Sequence, residues 1–240
     1  MALSLTAAHR RRLREVWRSA GWPCKDLIEL DLVAAGQLQR HWDEQGRESL
    51  RVTDAGVQLL AQTRQSNQLA RLAHEDLVAR VAADMQRAGR LVWRGLTLRA
   101  PLVDEQGAIQ WVMAMPDVFS IRQTTVESYV EPVVHEIKVS RADLLSDLRK
   151  PSKGQAYRAL ASQCWYVVGA GVAGLHDVPA EFGLMESTGD GLVVLRPAPR
   201  KPMTLALAAW MALARAHAEP ALDSEAQGWL GEPSSSDGDG

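Results

Sequence analysis

The chain has almost no cysteine. Cys24 and Cys164 are the only two in 240 residues, and they stand far apart with no Cys-x-x-Cys pair. That excludes a cysteine zinc site and a disulfide framework. A long apolar run is also missing: the longest, Met203 to Ala214, is too short to span a bilayer. The first residues, Met1 to Thr6, are too few to form a secretory leader and are soon followed by His9-Arg10-Arg11-Arg12. The expectation is a soluble, cytoplasmic protein with no membrane partner. Strong net charge is absent too, at a formal −2, which argues mildly against a nucleic-acid binder.

The charge that is present is unevenly spread. Residues 202–240 hold six acids and a single basic residue, Arg215, and the remainder carries 26 basic against 23 acidic residues. Between Lys138 and Arg158 six basic residues face only Asp143 and Asp147. Local potential, more than net charge, decides where a phosphate backbone settles. Hydrophobic residues at 46% and charged residues at 23% suit a globular chain able to bury a real core.

Two units and a tail are expected. In residues 1–66, apolar spacing predicts a helix over Ala7–Ala20, broken by Gly21-Trp22-Pro23, and a second over Cys24 to about Gln39 with a break near Gly36. Asp43-Glu44-Gln45-Gly46 signals a turn. A short strand follows over Ser49–Thr53, then a helix from Asp54 to about Gln65. This order, with the stretch LRVTDAGVQLLA, resembles a winged helix-turn-helix domain. Residues 68–218 read as an α/β (α+β) unit, a mixed sheet flanked by helices. It opens with an amphipathic helix over Leu69–Met85. Strands are predicted over Arg90–Leu102, Ile109–Met113, Asp117–Arg122, Val133–Val139, Cys164–Val168 and Leu192–Leu195, and helices over Arg141–Leu148, Lys153–Ser162 and Thr204–His217. Residues 219–240, poor in hydrophobics and rich in Ser, Gly and Asp, read as a disordered tail.

The chemistry rests on Pro116-Asp117 and, after eighteen intervening residues, Glu136-Ile137-Lys138. Side chains alternate along a strand, so Glu136 and Lys138 share a face and Ile137 points the other way. If the strands pair as a hairpin, Asp117 approaches Glu136 across the sheet. Two carboxylates and a strand carbonyl, that of Ile137, make a hard oxygen cage suited to Mg²⁺ or Mn²⁺. Two carboxylates in an apolar strand pair are costly without a cation or a proton, and that cost points to a metal. The bland alternative for Glu-x-Lys on a strand is an exposed edge pair.

The segments MPDVFSIR, HEIKVSRADLLSDLRKPSKGQAYRALASQCWYVV and FGLMESTGDGLVVLRPAP resemble the PD-(D/E)XK nuclease superfamily, and within it the MmcB-like DNA-repair proteins of bacteria. The matching elements are Pro116-Asp117, the run Glu136 to Asp143, Lys153 with Tyr157, and Trp165-Tyr166. The resemblance spans about residues 90–200. It implies a restriction-endonuclease-like fold in which Asp117 and Glu136 hold the metal and Lys138 is the catalytic lysine. RecB-like members of the superfamily carry a Gln with a Tyr four residues on; here Ala159 follows Gln155 at that distance and Tyr157 sits two away.

Further candidates come with simpler alternatives. Glu75 could add an acid to the metal site or lie on a solvated helix face. Arg141, Arg149, Lys150, Lys153 and Tyr157 are candidate DNA contacts, with a solvated turn as the alternative for Arg149 to Lys153. Ser140 and Asp143 fit a helix cap. His9 to Arg14 is either a phosphate contact or a solvated face, and His135, Trp165 and Tyr166 read as core. The expectation is a Mg²⁺- or Mn²⁺-dependent deoxyribonuclease of DNA repair, with a second copy or a repair protein as further partner. The alternatives are a non-catalytic DNA-binding protein on a nuclease-like scaffold and a winged-helix regulator.

Overall fold

A computed structural model describes residues 4–19, 21–104 and 106–220. Chain contacts divide it into two compact units, Met1–Leu72 and Ala73–Gly240. Residues 221–240, where most of the expected tail lies, fall outside the described residues.

In the first unit, α1 (Ala7–Arg18) and α2 (Leu27–Ala34) precede a hairpin of β1 (Leu38–Trp42) and β2 (Glu48–Val52), and α3 (Asp54–Arg87) begins after it. Leu13, Val16, Leu32, Leu38 and Leu50 form the core. The second helix is shorter than its periodicity suggests. Asp26 caps it by accepting from the Glu29 N–H (2.9 Å), and Gly36, at φ +68°, turns the chain out. The fully buried Glu29 carboxylate accepts the Cys24 and Lys25 N–H groups (2.6 and 3.0 Å) and fixes the turn in which Lys25 takes φ +54°. Residues expected to extend that helix instead form β1. The two helices expected over 54–65 and 69–85 are one, α3, because residues 64–69 hold no Gly or Pro to stop it.

The second unit is α+β with a mixed six-stranded sheet. Its strands are β3 (Arg90–Arg94), β6 (Val118–Arg122), β7 (Val133–Lys138), β8 (Gln163–Gly169), β9 (Gly183–Thr188) and β10 (Gly191–Arg196), in the order β10-β9-β8-β7-β6-β3. β7 runs antiparallel to β6 and parallel to β8. The strand expected over Arg90–Leu102 breaks at Gly95 (φ +58°), and its second half, β4 (Leu98–Val103), pairs with β5 (Ile109–Ala114) in a separate hairpin. Between β7 and β8 lie α4 (Arg141–Leu148) and α5 (Pro151–Leu160); α6 (Leu207–Arg215) follows β10. Glu219, assigned from sequence to the tail, is tied down: its N–H donates to the Val92 carbonyl (2.8 Å) and its carboxylate pairs with Arg94 (2.8 Å).

Helical side chains cover both faces of this sheet. On one, Leu77, Val78, Val81 and Ala82 of α3 pack on Val92, Val118, Ile137 and Val167. On the other, Ala156, Tyr157 and Leu160 of α5 and Ala209 and Leu213 of α6 share a core with Phe119, Val134, Tyr166 and Leu184. Every residue of β7 is buried, as in a central strand covered on both faces, yet it carries Glu136 and Lys138. Among the described residues no helix is long and apolar enough to cross a membrane.

Candidate functional site

The β6–β7 register pairs Val118 with His135, which sets Asp117, one residue before β6, opposite Glu136. Asp117 Oδ2 accepts the Ile137 N–H at 2.7 Å. In a strand the N–H and C=O of one residue point to the same side, so the Ile137 carbonyl also faces the Asp117 side, where β6 no longer pairs with β7. Glu136 and Lys138 project from the opposite face to Ile137, and the Lys138 ammonium donates to Glu136 Oε1 at 2.6 Å.

That pair belongs to a larger network. Lys153 of α5 donates to Glu136 Oε1 (2.5 Å) and to Asp147 Oδ1 (2.6 Å). The Tyr157 hydroxyl donates to Glu136 Oε2 (2.8 Å), and Tyr166 of β8 donates to Asp147 Oδ2 (3.0 Å). Burial disfavours the ammonium of Lys138, but the charge and hydrogen bond of Glu136, with Asp147 and Asp143 beyond, outweigh it and hold its pKa above the ordinary lysine value. Lys153 is raised in the same way, burial being overcome by Glu136 and Asp147. Burial and then the Glu136 charge lift the Tyr157 phenol far above its usual range, and burial and Asp147 do the same for Tyr166. Both lysines are charged and both phenols are protonated donors.

Three of the candidate DNA contacts have partners within the fold. Tyr157, a candidate DNA contact by sequence, is buried and cannot reach a phosphate; it orients Glu136. Lys153 is likewise engaged inward. Arg141 is exposed, but its guanidinium forms a bidentate pair with Asp177 (2.6 and 2.7 Å), whose pKa that bond lowers to about 2. Arg149 and Lys150 remain on the surface at the α4–α5 turn, as expected. Ser140 caps α4 by accepting from the Asp143 N–H (3.2 Å). His135 is packed, its ring stacked on Trp165, and Trp165 and Tyr166 are core residues. His9 is buried and lies 3.0 Å from Asp31.

Glu75 points largely to solvent, 3.6 Å from His74 Nδ1, and it is His74 Nε2 that reaches Asp117 Oδ2, at 3.4 Å. Sequence reasoning missed His74, although it sits three, four and seven residues before Leu77, Val78 and Val81, on the helix face that runs into the buried α3 stripe. It also missed Asp147, for which the signal was an acid three residues after the buried Leu144 on α4.

Whether a divalent ion suits these residues turns on Glu136. Two carboxylates and a strand carbonyl are hard oxygen donors of the kind Mg²⁺ and Mn²⁺ take. Among the described residues, however, no group of three or more His, Cys, Asp or Glu is arranged to hold a metal. Both Glu136 oxygens already accept hydrogen bonds, and the electrostatic cost that suggested a cation is met by the two lysines. The donor set fits an ion on one condition: an ammonium must leave Glu136 Oε1. Lys153 can do so, since it keeps Asp147 as a partner and is partly exposed. Asp117 Oδ1 has no hydrogen-bond partner among the described residues.

No family model matches the chain, and no curated protein matches it. Among solved structures, a protein of unknown function from Silicibacter pomeroyi is similar over 57% of this chain and 79% of its own, at 22% identity and a TM-score of 0.38. That likeness carries no argument about function.

Proposed function

We propose that this protein is a divalent-metal-dependent nuclease acting on DNA, with a PD-(D/E)XK arrangement in its second unit and a winged-helix-like first unit. The supporting observation is that Asp117 stands opposite Glu136 in the β6–β7 register with its carboxylate on the Ile137 N–H, while Lys138 pairs with Glu136. Asp117, Glu136 and the Ile137 carbonyl would hold Mg²⁺ or Mn²⁺. Such an ion polarises a phosphate and acidifies a bound water. Tyr157 fixes the Glu136 carboxylate by its hydroxyl, and His74 borders Asp117. Lys138, kept charged by its neighbours, offers a cation to the negative charge that develops on the phosphate. With Glu136 given to such an ion, Lys153 would keep its bond to Asp147.

The test is plasmid nicking with Mg²⁺ or Mn²⁺, alongside calorimetric Mn²⁺ titration of the wild type and Asp117→Asn. Cleavage and saturable Mn²⁺ binding, both lost in the variant, are expected. Intact supercoiled, linear and single-stranded DNA with either metal would refute catalysis. One observation favours a second role, a non-catalytic DNA-binding scaffold: the full engagement of Glu136 by Lys138, Lys153 and Tyr157. DNA binding with no Mn²⁺ uptake would select it.

A further inference from the structure

A groove of about 640 Å³ lies wholly within the first unit, between the last turns of α1 and the first turns of α3. Arg14, Trp17 and Arg18 line one wall at i, i+3 and i+4; Val57, Leu60 and Arg64 line the other at i, i+3 and i+7. Both walls are helix faces, and together they form a trough along two helices. Its floor is apolar and uncovered: Trp17 is 59% and Val57 37% exposed. Its rim is cationic. Among the described residues no carboxylate lies within ion-pair reach of Arg14, Arg18 or Arg64, whereas Arg11 and Arg12 on the same helix pair with Glu15 or Asp26.

We infer that this groove receives an acidic amphipathic helix of a partner protein. A helix laid in the trough covers Trp17, Val57 and Leu60 with an apolar stripe. Carboxylates flanking that stripe meet the three guanidinium groups, whose planar forks match carboxylate geometry. A nucleic-acid strand satisfies the arginines and can stack on Trp17, but it leaves the aliphatic floor facing water. The floor therefore decides for protein. Nothing in this inference depends on nuclease activity, which involves residues of the other unit.

The experiment uses the full chain and a fluorescein-labelled amphipathic peptide with Leu at i, i+3, i+4 and i+7 and Glu on both flanks, read by fluorescence anisotropy. A sister peptide carries Lys for Glu, and a single-stranded oligonucleotide serves as competitor. Saturable binding of the Glu peptide alone is expected, weakened at least about tenfold by Trp17→Ala and by Arg64→Glu. The double variant Arg14→Glu, Arg64→Glu should switch preference to the Lys peptide, a gain that misfolding cannot produce. The proposal is overturned if the two peptides bind the wild type alike or if the Glu peptide fails to saturate at about 1 mM protein. It is equally overturned if the double variant fails to switch, or if the oligonucleotide binds with the same Arg64→Glu sensitivity and displaces the peptide.

Discussion

His135 makes the site strand acid-sensitive by an amount that can be worked out. Its ring is buried in β7, stacked on Trp165 with centroids 6.4 Å apart, and among the described residues Nδ1 has no hydrogen-bond partner. Burial, and secondarily the charge of Arg90, lower its pKa from 6.5 to about 3. The folded protein therefore keeps the imidazole neutral where the unfolded chain protonates it. The stabilising contribution of neutrality is complete above pH 6.5 and drains away as pH falls toward 3. At about 1.4 kcal/mol per pH unit, the wild type should lose about 2 kcal/mol on this account between pH 6.5 and 5, and about 5 kcal/mol by pH 3. The comparison is with His135→Phe, which keeps a stacked ring and removes both the titration and the orphan nitrogen. Urea unfolding in EDTA at pH 7.5 and 5.0 gives both stabilities, and carboxylate effects common to the two proteins cancel. The wild type should lose about 2 kcal/mol more than the variant, or about 4–8 °C in Tm. At pH 7.5 the variant should be no less stable, since an unsatisfied buried polar group costs about 1–3 kcal/mol. Parallel pH curves for the two proteins would refute the assignment of a buried neutral imidazole.

Other outcomes follow from the same geometry. Tyr157→Phe removes the donor on Glu136 Oε2 and should cost about 1.5–3 kcal/mol by urea unfolding, with DNA cleavage reduced in proportion to the loss of an oriented carboxylate. Lys153→Met frees Glu136 Oε1 from one ammonium, so Mn²⁺ should bind at least about tenfold more tightly by calorimetry; weaker binding would show that Lys153 is not the cation's competitor. Gly183→Ala places a Cβ 2.3 Å from Trp165 Cε3 and 2.7 Å from the Ala198 nitrogen, so the β8–β9 pairing must shift, and a loss of about 1–3 kcal/mol or more is expected by thermal unfolding.

Much of the sheet was legible because β7 reads plainly. Val133, Val134 and Ile137 are apolar and β-branched, and alternation alone sets Glu136 and Lys138 on one face. The approach of Asp117 followed from treating two neighbouring strands as a hairpin, which their antiparallel register bears out. Local chemistry was equally legible at Ser140, whose cap on α4 involves residues three apart. What stayed hidden was long-range. β9 (Gly183–Thr188) carries Glu186, Ser187 and Thr188, and its pairing with β8 and β10 makes it a strand. The mostly polar residues 64–69 read as a linker, yet they hold no breaker, and the two predicted helices fuse into α3. Tyr157 is a candidate DNA contact by sequence, whereas its position one and three residues from buried Ala156 and Leu160 turns it inward.

The more instructive difference concerns charge. From sequence, two acids in an apolar strand pair point to a metal. In the fold, Glu136 and Asp147 are matched by Lys138 and Lys153, so the buried charges are paired without any ion. Burial of carboxylates therefore supplies no evidence for a cation here. What remains in favour of one is Asp117: its Oδ2 sits on the Ile137 N–H and its Oδ1 has no hydrogen-bond partner among the described residues. A buried pair that served only to stabilise the fold would gain little from being ionic, since apolar replacements of similar volume are often neutral or better. A lysine that can retreat to a second carboxylate has a use in a protein that must exchange it for something else. The Lys153→Met titration tests that distinction directly, because a purely structural lysine predicts a loss of stability with no gain in Mn²⁺ affinity.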